Sequence, residues 1–207
     1  MVPGVRNVPW WGVVSSAAGP VLLAGGWTLA ARLQPPSFDP VTDTVSALAA
    51  VGAPGRWVMT LTFVVVAVCD IVTAAALRPA RAAGRLILVA GSVAGMLVAL
   101  NPQHAGGSLP HAIWASIGFG GMAFWPAAAW RRGPFVPWGL RPVVCAGAVA
   151  ALAALTAWFG AELVTGAGQA GLAERIVGMV QALWLLAVVL SCRFPSRAIS
   201  GSAAWAS

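Results

Sequence analysis

Seven side chains in this 207-residue chain are carboxyl or imidazole groups, the groups most able to do acid–base or metal chemistry. They are Asp39, Asp43, Asp70, Glu162, Glu174, His104 and His111. Histidines and carboxylates together can hold a zinc-like ion or exchange protons with a substrate. The two histidines are seven residues apart, which matches no standard pair of metal ligands. The sequence therefore predicts acid–base groups without a metal site or a cofactor.

The elements that position these groups are long apolar segments. The chain is 59% hydrophobic and has a mean hydropathy of +0.85. A soluble domain of this size could not bury that much apolar surface. Six runs carry almost no charge, and each approaches the ~20 residues that cross a ~30 Å bilayer core. The runs are 11–31, 57–77, 86–100, 111–130, 142–160 and 176–192. The predicted fold is all-α: a polytopic membrane protein with six transmembrane helices in one domain, residues 1–192.

The arginines predict the orientation of these helices. All twelve basic residues are arginine. Nine of them lie before the first run, between the second and third, between the fourth and fifth, or after the sixth: Arg6, Arg78, Arg81, Arg85, Arg131, Arg132, Arg141, Arg193 and Arg197. Short arginine-rich loops stay cytoplasmic. We therefore predict a multi-pass protein of the bacterial inner or plasma membrane with both termini cytoplasmic and a disordered tail, residues 193–207.

The net charge of +7 has a membrane explanation. Arginines at the cytoplasmic ends of helices contact anionic lipid headgroups. Membrane lipids are therefore the expected partners, and nucleic acid is not. Homo-oligomerisation stays open.

The first outer connection, residues 33–56, is the longest of the loops and contains its own structural signals. Asp39 is a typical N-cap residue and a proline follows it, which is favoured at the first position of a helix. We predict a short helix at the outer surface over residues 40–51, ending at Gly52. In such a helix Asp39, Asp43 and Ser46 share one face.

Asp70 lies within the second run, about 20 Å from its outer end at 1.5 Å per residue. An acid at that depth costs several kcal/mol unless it is protonated or paired. One interpretation is a proton-coupled or catalytic acid inside the membrane. The other places Asp70 close enough to the cytoplasmic surface to pair with Arg78 or Arg81.

The remaining polar groups map to the outer face. They include Asp39, Asp43, Ser46, His104, His111, Glu162, Glu174 and Arg175. Each can have a local role, as a helix cap, a loop partner or a group at the membrane–water boundary. Alternatively, several converge as a binding site, with Asp43, His111 and Glu174 as the catalytic candidates. Tryptophans inside the runs, such as Trp27, either pack between helices or line a cavity that suits a cation or a prenyl chain.

Two stretches resemble the DUF998 family of bacterial and archaeal membrane proteins, whose function is unknown. The first comprises Phe38-Asp39-Pro40, Thr44-Val45-Ser46-Ala47-Leu48 and Gly52-Ala53-Pro54-Gly55-Arg56-Trp57; the second comprises Gly171-Leu172-Ala173-Glu174-Arg175-Ile176 and Leu183-Trp184. His111 at the start of the fourth helix also fits. The resemblance spans roughly residues 10–192. It implies six helices, but it transfers no activity because the function of the family is unknown. It also implies one shared outer-face feature that binds through Asp39, Ser46, Arg56, His111, Glu174 and Arg175.

Three functions remain open from the sequence. The leading hypothesis is a membrane protein with an outward-facing polar pocket for a lipid headgroup or another amphiphilic small molecule. The first alternative is an intramembrane hydrolase, transferase or prenyl-chain cyclase, which requires Asp43, His111 and Glu174 to converge within hydrogen-bond reach beside an apolar cavity. The second is a small proton-linked transporter, which requires an accessible Asp70 and a dimer.

Overall fold

The structure is a computed structural model that describes residues 7–104 and 107–194. It contains six long helices: α1 Trp10–Arg32, α2 Arg56–Ala76, α3 Ala82–Leu100, α4 Leu109–Ala129, α5 Pro142–Thr165 and α6 Ala170–Arg193. All six are long and apolar enough to cross a membrane, and the described residues contain no strand. The all-α, six-helix prediction is confirmed. Arg6, Arg197 and the predicted disorder of the tail after Phe194 lie outside the described residues.

The helices alternate in direction, so their ends gather into two layers. Each helix packs on the next one in the chain, and α6 returns to pack on α1. One apolar cluster lies at what we call the arginine-rich end and includes Val8, Leu77, Trp125 and Val188. A second lies at the opposite end, which carries residues 33–55 and which we call the loop-one end; it is built from Ala30, Val45, Leu48, Ala49 and Met59.

Small residues bring α3 and α4 close together. A Cβ placed on Gly121 would lie 2.8 Å from the Cα of Gly91, so neither position tolerates a larger side chain without displacing a helix. Packing of this kind replaces the hydrophobic effect inside a bilayer, where the lipid tails are as apolar as the helices. Gly95, one turn further along α3, is different, because a Cβ there would meet no atom within 4 Å.

The short helix predicted over residues 40–51 is wrong in extent. Asp39 does cap a turn, with its Oδ1 accepting from the Val41 N–H at 2.8 Å. Asp43 completes the turn, with its Oδ2 accepting from the Asp39 N–H at 2.9 Å. The chain then leaves the helical path, and only a 3-10 turn, Ser46–Ala49, follows.

The reason is that α6 takes the backbone groups that a helix would use internally. The Val41 carbonyl accepts from the N–H of Leu172 at 3.0 Å. The Pro40 and Asp43 carbonyls accept from Arg175 at 2.7 and 2.9 Å. Tertiary hydrogen bonds therefore replace the local ones, and they fix the loop on the end of α6.

Candidate functional site

A cavity lies inside the bundle, between α1, α2, α3, α4 and α6, and Val45 and Ser46 of the first loop line it at one end. The centre of a water molecule can reach about 140 Å³ of it, and its whole empty volume, including the part open to the outside, is about 860 Å³. Its wall is mainly apolar and includes Trp27, Phe63 and Phe119. Among the described residues none on α5 lines the cavity, because α5 packs behind α4 and α6.

Five polar residues interrupt the apolar wall: Ser46, Asp70, Ser92, Glu174 and Gln181. All five are buried in the protein. Two are acids, and they come from different helices and different depths. This combination of a mostly apolar cavity with a few polar groups is typical of a binding site for a small molecule.

Glu174 lines the cavity at the loop-one end. Its Oε1 accepts from the Ser46 hydroxyl at 2.7 Å, and its Oε2 accepts from the Ser46 N–H at 3.3 Å. Glu174 is only 5% exposed, so these two donors compensate part of its lost hydration. The pair joins the first loop to α6.

Arg175 attaches the same loop to α6 through a second set of hydrogen bonds. Besides the Pro40 and Asp43 carbonyls, its Nη1 donates to the carbonyl of Gly171 at 2.8 Å. The partners of Nη1 are therefore carbonyl oxygens, two from the first loop and one from its own helix. Gly171 must be glycine here, since a Cβ would collide with the Asp43 carbonyl.

Asp70 lies deep in the cavity, on the α2 side. It is 7% exposed, and within residues 7–104 and 107–194 no group donates a hydrogen bond to it. Across from it is Gly19 of α1, where a Cβ would lie 3.8 Å from Asp70 Oδ1 and 3.9 Å from the Ala182 Cβ. Asp70 therefore presents a polar group to the cavity where α1, α2 and α6 meet.

The alternative in which Asp70 pairs with a loop arginine is wrong. In the part of the chain that the structure describes, no ion pair joins Asp70 to Arg78 or Arg81. Arg81 instead lies over the ring of Trp130, 5.2 Å from its centroid. Arg81 and Asp70 therefore have separate surroundings, and Asp70 lines the cavity.

Comparison with known proteins adds the family. A family model described as "Protein of unknown function (DUF998)" matches residues 16–191. The chain belongs to the DUF998 family. The matched region contains every residue that lines the cavity. No curated protein and no solved structure gave a significant match.

The outer-face feature that the resemblance to DUF998 implied is only partly assembled. Ser46, Glu174 and Arg175 come together with the loop. His111 does not join them, because its Nδ1 lies 2.9 Å from the carbonyl of Asn101 and it completes the end of α3. Arg56 lies over the ring of its neighbour Trp57, at 4.6 Å from the centroid.

The catalytic candidates of this DUF998 protein do not form one group. The Asp43 carboxylate is held by Asp39, Glu174 by Ser46, and His111 by the end of α3, and among the described residues no hydrogen bond joins any two of the three. The described residues therefore do not show the convergence that the enzyme alternative requires. The described residues also contain no group of three or more His, Cys, Asp or Glu side chains that could hold a metal ion.

Sequence reasoning missed Gln181 and Ser92 in the DUF998 cavity. Gln181 donates to the carbonyl of Phe119 at 3.1 Å and so links α6 to α4. Ser92 donates to the Leu88 carbonyl of its own helix at 2.8 Å. The sequence did contain a signal for Gln181, because it is a single amide inside an otherwise apolar run. Polar side chains within a membrane span tend to face the protein interior.

Proposed function

We propose that this protein binds an amphiphile inside the membrane. The polar group of the ligand lies in the cavity between Asp70 and Glu174, and the apolar part lies along the wall. The observation that carries the proposal is Asp70, a buried acid that faces a cavity and receives no hydrogen bond from the described residues. A buried polar group without a partner is costly, and such groups inside membrane spans are typical of functional sites.

The placement of the acidic and imidazole side chains favours binding over catalysis. The enzyme alternative needed Asp43, His111 and Glu174 in one hydrogen-bonded group, and these side chains have separate partners. The two acids that do share the cavity come from α2 and from the start of α6. These separate partners support the binding proposal over the enzyme alternative.

A proton-linked transporter is the second candidate, and Asp70 is again the observation that favours it. An acid that faces a cavity within the membrane can take up and release a proton together with a ligand. A transporter must first bind the molecule that it moves, so the binding proposal also applies to this candidate. It adds a requirement for access from both sides of the membrane.

The test is to identify what co-purifies with the protein in a mild detergent. Native mass spectrometry of the wild type is expected to show a bound molecule of small mass. Gly95→Leu places a side chain in the cavity at a position where a Cβ meets nothing within 4 Å, so it should remove the molecule without unfolding the bundle. Gly147→Leu is the matched control, because Gly147 is equally open but exposed on α5.

Loss of the molecule in Gly95→Leu and its retention in Gly147→Leu support the proposal. A molecule that survives Gly95→Leu lies elsewhere on the protein and contradicts it. Proton linkage needs a further result, uptake of the identified molecule into vesicles that responds to an imposed pH gradient and is lost in Asp70→Asn.

A further inference from the structure

We infer that the polar group taken by this cavity is an organic cation, an amine or quaternary ammonium group, and that it binds against Asp70. The inference rests on the proposed function and specifies its ligand. It excludes the phosphate of a lipid headgroup as the group that enters the cavity. It is argued from the charge, the hydrogen bonds and the wall of the cavity.

The charged groups on the cavity wall have one sign. Two carboxyl side chains line it, Asp70 and Glu174, and among the described lining residues there is no arginine and no histidine. Arg175, next to Glu174, directs its Nη1 to loop carbonyls instead. An anion in this cavity would meet like charges and no cation among the described lining residues, whereas a cation would gain a carboxylate at low local dielectric.

The hydrogen bonds distinguish the two acids. Glu174 already accepts from the hydroxyl and the N–H of Ser46. Asp70 accepts from no described group and is 93% buried, since 7% of it is exposed. An acid in this state lacks a donor or a cation, so the ligand's positive group is expected at Asp70 rather than at Glu174.

The wall fits the rest of such a ligand. Trp27, Phe63 and Phe119 present aromatic surface to the cavity, and aromatic faces attract ammonium groups as well as apolar chains. The distance between the acids sets a length. Ala182 lies beside Gly19 at the depth of Asp70, and eight residues of α6 separate it from Glu174, which is about 12 Å at 1.5 Å per residue. The cavity therefore suits an ammonium group with an apolar body of up to roughly that length.

Three benzyl compounds that differ only in the polar group test the inference: benzyltrimethylammonium, benzyl alcohol and benzylphosphonate. Isothermal titration calorimetry on the detergent-solubilised protein is expected to show tighter binding of the ammonium compound than of the other two. Asp70→Asn, which keeps the shape of the side chain, should weaken the ammonium compound by about tenfold or more and leave benzyl alcohol unchanged. Glu174→Gln should have a smaller effect, and Gly147→Leu should have none.

Failure of this inference is distinct from failure of the proposed function. Equal affinities for the three compounds, or ammonium binding that Asp70→Asn does not weaken, would overturn the cation assignment. Amphiphile binding would still stand if Gly95→Leu abolished all three. If none of the compounds binds, the co-purified molecule decides: one with an amine or ammonium group supports the inference, and a neutral or anionic one overturns it. If the purified protein holds no molecule and binds none of the three compounds, both the cation assignment and the proposed function are overturned. A thermal melt of Asp70→Asn establishes that the variant is folded.

Discussion

The hydrogen bond between Ser46 and Glu174 is one of the attachments of the first loop to α6, and a double-mutant cycle can measure it. Ser46→Ala removes the hydroxyl that donates at 2.7 Å and leaves the backbone N–H, which donates at 3.3 Å. Hydrogen bonds to charged groups contribute about 1.5–3 kcal/mol, and leaving a buried group unsatisfied costs a similar amount. We therefore expect Ser46→Ala to lower the free energy of unfolding by about 2 kcal/mol.

Glu174→Gln keeps the size and one acceptor of the side chain but removes its charge. We expect a loss of about 1 kcal/mol, because the remaining hydrogen bond is no longer charge-assisted. The double variant should lose about 1 kcal/mol less than the sum of the two single losses, since both remove the same interaction. Ser116→Ala is the control, because Ser116 is exposed on α4 and its hydroxyl bonds only to the carbonyl of Ala112.

The assay is equilibrium unfolding in mixed micelles, followed by tryptophan fluorescence. A coupling energy within about 0.3 kcal/mol of zero, the error usual for independent sites, would refute the interpretation of Ser46 and Glu174 as one unit. A loss in Ser116→Ala as large as that in Ser46→Ala would show that the assay reports hydroxyl removal in general.

Three further predictions follow from the same geometry. Gly171→Ala should lower the free energy of unfolding by about 1–3 kcal/mol, the usual cost of overpacking, and should expose residues 33–55 to protease. Gly178→Ala should do neither, because a Cβ there meets no atom within 4 Å. Equal proteolysis of the two variants would contradict the docking of the first loop on α6. Asp70→Asn should raise the stability of the ligand-free protein by about 1 kcal/mol, because a buried charge without a partner is costly; a lower melting temperature in the variant would mean that Asp70 has a stabilising partner. A reporter fused after Ser207 should be active only in its cytoplasmic form, as the arginine distribution predicts, and periplasmic activity would reverse the orientation.

The six helices were predictable because the bilayer imposes a simple rule on the sequence. A segment of about 20 apolar residues has no alternative to a helix in hydrocarbon, since every backbone group must find its hydrogen bond within the segment. The observed spans contain the predicted runs apart from one terminal residue in each of two helices: Leu77 follows α2, and Trp130 follows α4. The close approach at Gly91 was also predictable from small-residue spacing.

The first loop was not predictable because its structure depends on a distant helix. Asp39 gives the correct signal for a capped turn, and the turn is present. The sequence of the loop does not reveal that Arg175 takes the carbonyls of Pro40 and Asp43, more than 130 residues away in the chain. Local propensity therefore predicted a longer helix than the tertiary hydrogen bonds allow.

The site was predictable only in part, for a similar reason. Glu174 and Ser46 were identified by their resemblance to a family pattern, and they do meet. The role of Asp70 depended on which face of α2 points inward, and the sequence left two alternatives. The cavity itself depends on empty space beside Gly95 and Gly178. Such space results from the arrangement of five helices and has no signature in any one of them.

Photocrosslinking can establish whether a ligand occupies the cavity between Asp70 and Glu174. A diazirine-bearing alkyl amine would be bound to the purified protein, irradiated, and its adducts mapped by peptide mass spectrometry. We expect adducts on cavity-lining segments of α3, α4 and α6, such as residues 91–98, and their loss in Gly95→Leu but not in Gly147→Leu. Adducts confined to the exposed surface of α5, or unchanged by Gly95→Leu, would contradict it.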